Sequence, residues 1–256
     1  MAQHTPFDLT GQVAVITGSS RGIGRSIAET MAQMGAKVVI SSRKADACEE
    51  VASAIRKGGG EATVIPANIS KKADVEALVA KTVETYGRLD IMVANAAVSP
   101  YFGPMMGLDD EAFDKTINTN VRSALWLARL AHPHMKKQGA GSVIIVSSIA
   151  GLRHGANIGM YGISKAADFS LARSLAAEWG PDNIRVNCIA PGLVKTDMAR
   201  ALWEDEKRRK AVEATTPLRR LGNVEDIGGI AGFLASKASA YVTGQVIVAD
   251  GGVTIV

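Results

Sequence analysis

Apolar residues gather in seven short, β-branched runs, at residues 13–16, 37–41, 63–66, 91–94, 142–147, 185–189 and 245–249. Between the runs, apolar positions return at helical spacing, as at Ile23, Ile27, Met31 and Met34, and again at Val75, Leu78, Val79 and Val83. A strand that is apolar almost throughout has both faces covered, so helices are expected on both sides of a parallel sheet. The alternation predicts an α/β fold, a doubly wound parallel sheet of seven strands. No Pro/Ser-rich linker or low-complexity repeat breaks it, and residues 1–256 are read as a single domain.

In such a sheet ligands bind beyond the carboxyl ends of the strands. Function is therefore sought at residues 18–24, 42–44, 68, 95–97, 147–151 and 191–196. The first of these segments, with Thr17 before it, reads Thr17-Gly18-Ser19-Ser20-Arg21-Gly22-Ile23-Gly24 and joins a strand to a helix. Glycine lets the backbone turn sharply and approach a pyrophosphate, and the free N–H groups of a helix start stabilise its charge. The spacing is Gly-x-x-x-Gly-x-Gly, without the Gly-Lys-Ser/Thr pair of a P-loop. Taken alone, the loop also admits a pure packing role. Tyr161-Gly162-Ile163-Ser164-Lys165 sets a phenol and an ammonium four residues apart on one helix face. A nearby cation favours phenolate and makes Tyr161 usable as a general acid or base nearer neutrality. By itself the pair also describes a half-exposed helix face.

Composition narrows the classes. The chain has 256 residues, 47% hydrophobic and 21% charged, which excludes disorder, and 26 glycines against 8 prolines suit many tight turns. Two cysteines, Cys48 and Cys188, exclude a disulfide framework or a cysteine-based zinc site. The net charge of +4 comes from scattered residues, the densest patch being 207–210 beside Glu204, Asp205 and Glu206, so a solvated helix is expected and nucleic acid is not. No apolar run approaches the roughly 18 residues of a membrane span. Residues 1–12 show neither a cationic start nor an apolar core, so a cytoplasmic protein without a secretory leader is expected.

The ordered segments resemble the short-chain dehydrogenase/reductase family over essentially the whole length. Residues 17–24 resemble its cofactor loop, Asn95-Ala96-Ala97 its Asn-Ala-Gly segment, Asn120 its helix-four asparagine, and Ser148, thirteen residues before Tyr161, its active-site serine. Pro191-Gly192 with Thr196 resembles the loop that covers the nicotinamide. The resemblance implies a Rossmann-type, dinucleotide-binding oxidoreductase domain with helices on both sheet faces and substrate loops at about 96–108, 151–158 and 192–215. It implies a catalytic set of Asn120, Ser148, Tyr161 and Lys165. Tyr161 would move the proton, Ser148 would hydrogen-bond the substrate oxygen, Lys165 would tune Tyr161 and hold the nicotinamide ribose, and Asn120 would position a water. Cofactor contacts are implied for Gly18, Ser20, Arg21, Gly22, Ile23, Gly24, Ser42, Arg43, Asn68, Ile69, Asn95, Tyr161, Lys165, Pro191, Gly192, Val194 and Thr196, with no metal. Hydride would come from the cofactor, leaving orientation, a proton source and carbonyl polarisation to the protein.

Ser147 competes with Ser148, and the thirteen-residue spacing favours Ser148. Asn187 resembles a structural asparagine outside the catalytic set. Ala97 departs from the family's usual glycine, and Asn68 stands where many members carry an acid near the adenine. Ser42 occupies the place of the carboxylate that binds a ribose 2′-OH in NAD-preferring sites, and Arg43 follows it, with Arg21 in reach from the glycine loop, so NADP(H) is the expected cofactor. The pattern looks closest to NADPH-dependent carbonyl reductases acting on a small carbonyl or alcohol substrate. A 3-oxoacyl-thioester (acyl carrier protein) reductase is the alternative, and a catalytically idle nucleotide-binding regulatory protein is the alternative of another class. Tyr101, Phe102, Met105, Met106, Met198, Leu202 and Trp203 suggest an apolar pocket. The family resemblance implies a homotetramer, with helices near 120–135 and 161–179 pairing across one axis and the strand at 245–249 joining another interface. Leu125, Trp126, Leu127, Leu130 and Met135 supply more apolar surface than one sheet-facing stripe needs.

Overall fold

The computed structural model describes residues 5–256; residues 1–4, on which part of the leader reading falls, lie outside the described residues. The chain runs β1 (Val13–Thr17), α1 (Gly22–Gln33), β2 (Lys37–Ser41), α2 (Ala45–Lys57), β3 (Glu61–Val64), α3 (Lys72–Tyr86), β4 (Ile91–Ala94), α4 (Asp110–Ile117), α5 (Ser123–Gln138), β5 (Gly141–Val146), α6 (Gly159–Trp179), β6 (Ile184–Pro191), α7 (Arg200–Trp203), α8 (Glu206–Thr215), α9 (Val224–Ala235) and β7 (Val246–Ala249). All strand pairings are parallel, in the order β3-β2-β1-β4-β5-β6-β7. The predicted doubly wound sheet is therefore present, and its order reverses between β1 and β4, where a crevice opens at the strand ends.

The period-two alternation of each strand feeds two separate apolar layers. Val15, Met92, Val143 and Val186 face α3, α5 and α6, while Ala14, Ile16, Val93 and Ile144 face α1, α2 and α9. Ile16, Ile27, Leu78 and Leu127 are fully enclosed, and each such side chain contributes about 1.5–3 kcal/mol relative to exposure. Both cysteines are buried, Cys48 on α2 and Cys188 on β6. Among the described residues no helix is long and apolar enough to cross a membrane.

Two strands depart from the sequence pattern by two residues at one end or both, and the other strand ends agree within one residue. β3 covers 61–64 instead of 63–66, because the polar Glu61 pairs in register with Lys37 and meets its ammonium at 3.1 Å. β6 runs on to Pro191, which pairs with Ala249 as the last residue of the strand, where a missing N–H is tolerated. Asn120 also departs from a regular helix: residues 118–122 form a single π-helical turn between α4 and α5. The charged patch at 207–210 lies on the expected solvated helix, α8.

Candidate active site

The loop after β1 is built around hydrogen bonds that span the sheet. Thr17 Oγ1 donates to Val93 O at 3.2 Å and accepts from the N–H groups of Asn95 and Ala96 at 3.1 and 3.3 Å. Asn95 Nδ2 donates to Thr17 O at 2.8 Å. Ser19 Oγ donates to Ile16 O at 2.7 Å and accepts from Ser41 N at 2.9 Å. These contacts pull the loop so close to β4 that a Cβ on Gly24 would sit 2.5 Å from Gly18 O and from Asn95 Nδ2. Gly18 also adopts φ +68°, open to glycine at little cost. α1 then starts without a side-chain cap and without an acid in its first turn, leaving its N–H groups for an anion.

The other candidate cofactor residues divide by what their side chains already hold. Arg43 and Lys44 are exposed beyond β2, and no other described residue forms an ion pair with either. Ser42 Oγ lies 3.1 Å from Cys48 Sγ. Arg21 instead reaches across to the 192–215 segment and pairs with Asp197 at 3.2 Å, which Arg200 also holds at 2.7 Å. The Arg200 guanidinium, with Arg21 behind it, keeps the Asp197 carboxyl below the usual range. Asn68 Oδ1 accepts from Ser70 N at 3.1 Å in the turn that starts α3, which leaves its Nδ2 and one Oδ1 lone pair to a ligand. The side chains of Ile69 and Val194 are buried in the two apolar layers, and Ile23 packs partly against one of them, so any contact from Ile69 or Val194 must come from the backbone. Asn95 grips the glycine loop with its amide, a clamp that its place among cofactor contacts did not foretell. Ser20 and Gly22 remain half-buried in the loop, Gly22 facing the Thr196 side chain. Gly192 N–H bonds Ala249 O at 2.9 Å, tying the loop after β6 to β7.

Tyr161 and Lys165 share one face of α6, with the Lys165 ammonium 5.7 Å from the Tyr161 ring centroid. Lys165 is buried, and its Nζ donates to Val146 O at 3.0 Å and to Asp168 Oδ2 at 3.2 Å. Burial alone would lower the lysine, but Asp168 and then Tyr161 oppose it and hold it above the ordinary lysine value. Ser147 turns inward, donating from Oγ to Lys165 O at 2.8 Å. Ser148 stays half-buried at the strand end, where its Oγ accepts from Ala150 N at 3.1 Å and keeps its own proton to donate. The Asn120 amide is committed on both sides: Oδ1 accepts from Val98 N at 2.8 Å, and Nδ2 donates to Val98 O at 2.9 Å and Ser164 Oγ at 3.0 Å. Since Ser164 Oγ donates in turn to Tyr161 O at 2.7 Å, Asn120 braces the turn that carries Tyr161. Only its backbone is left to position a water. Asn187 binds Val242 O and Gln245 N, a structural brace ahead of β7.

The loops expected to face a substrate expose apolar side chains. Phe102, Met106 and Met198 are exposed there, and Trp203 Nε1 donates to Thr196 O at 2.8 Å. Gly103 N–H bonds Asn157 O at 2.9 Å, joining the 96–108 and 151–158 loops. His154 is exposed.

A family model described as Enoyl-(Acyl carrier protein) reductase matches residues 18–254. Dehydrogenase/reductase SDR family member 4 of Homo sapiens is 42% identical over 244 residues, which are 95% of this chain and 88% of that protein. The crystal structure of a gluconate 5-dehydrogenase from Burkholderia cenocepacia J2315, in complex with NADP and tartrate, is 31% identical, with a TM-score of 0.94 over 99% of each chain. A 7α-hydroxysteroid dehydrogenase complexed with NADH and 7-oxo glycochenodeoxycholic acid is 35% identical, with a TM-score of 0.94 over 98% of each chain.

Proposed function

This chain belongs to the short-chain dehydrogenase/reductase family and is an oxidoreductase of alcohol and ketone groups; from that premise we propose that it uses NADP(H) to interconvert a ketone or aldehyde with its alcohol. Tyr161 is the general acid and base in this reading. The observation that carries it is the Tyr161 phenol beside a buried, charged Lys165, with Ser148 free to donate at the adjoining strand end.

The residues present fit a dinucleotide. The tight loop at Gly18 and Gly24 leaves no room for side chains where the backbone meets the uncapped start of α1, as a pyrophosphate requires. Ser42 brings no carboxylate to the end of β2, and Arg43 offers an unpaired planar fork to a ribose 2′-phosphate. The related structures bind either form, NADP in the gluconate 5-dehydrogenase and NADH in the hydroxysteroid dehydrogenase, so the choice rests on Ser42 and Arg43.

When bound, the cofactor supplies or accepts hydride at the carbonyl carbon. Ser148 donates a hydrogen bond to the carbonyl oxygen and polarises it. In the reductive direction the phenol of Tyr161 gives its proton to that oxygen, and the Lys165 ammonium stabilises the phenolate that remains. In the oxidative direction the phenolate takes the proton back. Asn120 keeps the Tyr161 turn in place and leaves its backbone to the water that refills the proton.

A 3-oxoacyl-thioester is the second substrate reading, favoured only by the mention of an acyl carrier protein in the description of the matching family model. Absorbance of NADPH followed over a panel of ketones, aldehydes, sugars and 3-oxoacyl thioesters separates the two. Turnover of ketones or aldehydes supports the first reading, turnover of thioesters alone supports the second, and no NADPH oxidation by any of them removes both. We also assign residues 1–256 to one dinucleotide-binding unit that assembles as a homotetramer.

A further inference from the structure

Asp168 lies nearly one helical turn beyond Lys165 on α6 and is 0% exposed. Its Oδ2 accepts from Lys165 Nζ, while its Oδ1 meets no hydrogen-bond donor. With Val146 O taking a second N–H of the ammonium, two of the three lysine protons point into the protein and one is left for the cleft. A buried carboxylate with an unpaired oxygen is costly, and an ammonium at contact distance is what makes it tolerable. Packing does not call for it, because the buried positions that follow it on α6, Phe169, Ala172, Leu175 and Ala176, are all apolar. The charge therefore answers to Lys165.

We propose that Asp168 is a positioning residue of the reaction, a counter-ion that keeps Lys165 protonated in a dehydrated site and offsets the charge that the Tyr161 phenol feels. The proposal rests on Tyr161 acting as the proton donor and acceptor. Few other groups face Asp168. The Cys188 thiol comes from β6 and donates to the Asp168 backbone carbonyl at 3.3 Å; burial, and then the carboxylate, push it far up, so it stays protonated. Ser147 comes from the end of β5, and Arg173 stands further along α6. Residues 149–151 carry no ionisable side chain, and Arg122 with the ionic side chains of α4 is exposed. Burial pushes the Asp168 carboxyl up and Lys165 pulls it back.

Removing one negative charge makes the phenol and the ammonium both easier to deprotonate. In cofactor-free Asp168→Asn, the tyrosinate absorbance assigned to Tyr161 by difference from the matching Tyr161→Phe protein is expected to rise at a pH lower by about one unit. Both limbs of the kcat/KM profile are expected to move the same way, and Asp168→Glu to restore them. A folded Asp168→Asn whose phenol titration and profile stay in place, with only the amplitude reduced, would overturn the proposal. If Tyr161→Phe keeps full turnover, the acid/base reading fails, yet the phenol titration still reports on Asp168. Should Asp168→Asn not fold, Lys165→Met with Asp168→Leu leaves no buried ion unpaired and is expected to fold. Failure of that double variant to fold would make Asp168 a packing residue and overturn the proposal as well.

Discussion

Tyr161→Phe keeps the ring and removes one oxygen, so binding and chemistry should separate. Cofactor affinity is expected to hold while turnover falls by about 100-fold or more, the scale of a general acid–base contribution, measured by fluorescence titration beside steady-state rates. Lys165→Met should lower both, since the proposed function gives one ammonium both the phenol and the ribose. At the end of β2, a charge-assisted contact of about 1.5–3 kcal/mol is worth roughly 10- to 150-fold in affinity. Wild type should therefore prefer NADPH, and Ser42→Asp with Arg43→Leu should move toward NADH; equal use of both cofactors by wild type would remove Arg43 from the site. Which of these residues could be read from sequence follows from the distance over which each acts. Although the Tyr161 to Lys165 spacing alone also describes a half-exposed helix face, Tyr161, Lys165 and Ser148 stand at short spacings that a family resemblance can pick out. Asn95 does not, because its partner Thr17 lies 78 residues away, and only the folded sheet shows that it grips the glycine loop. Asp168 gave no signal beyond an acid in an apolar stretch, since its meaning depends on which way Lys165 turns.

Single elements rest on local chemistry that can be tested one at a time. At the start of α9, Asp226 Oδ2 accepts from Asn223 N at 2.7 Å, and both carboxylate oxygens bind the Arg220 guanidinium. Arg220, with the Asn223 backbone, holds this carboxyl below its ordinary value. A lowered carboxyl stabilises the fold above its unfolded-state value and loses that contribution as pH falls through the folded one. Asp226→Ala should thus cost about 1 kcal/mol near neutrality, seen as a lower Tm, and the gap from wild type should close in acid. Strands were legible as elements because burial on both faces gives an unbroken apolar run. Their ends were not: the Lys37 to Glu61 pairing and the continuation of β6 to Pro191 are decided by the neighbouring strand. The π-helical turn at 118–122 was hidden for a similar reason, since the partners of its Asn120 amide, the Val98 backbone and Ser164 Oγ, lie in the loop after β4 and in α6.

For the molecule as a whole, the seven-stranded parallel sheet followed from the alternation of strand and helix, its strand order came only with the fold, and assembly is a matter of surface. Leu125, Leu171 and Trp179 line a groove of about 410 Å³ between α5 and α6, and all three remain partly exposed. Light scattering is expected to give a tetramer, and Leu171→Arg to give a smaller species whose circular dichroism is unchanged. A monomeric wild type at micromolar concentration would end that expectation. The Arg21 to Asp197 pair spans the molecule differently, linking the glycine loop to the segment ahead of α7. Its side chains are 73% and 45% exposed, and ions in solution screen such pairs readily. It adds little to folding, but it ties the glycine loop to the segment that the proposed function sets over the nicotinamide. On that reading the pair acts as a latch with a weak spring: added salt should leave the melting temperature alone and quicken product escape, so pace, and not durability, would answer to the saltiness of the surroundings.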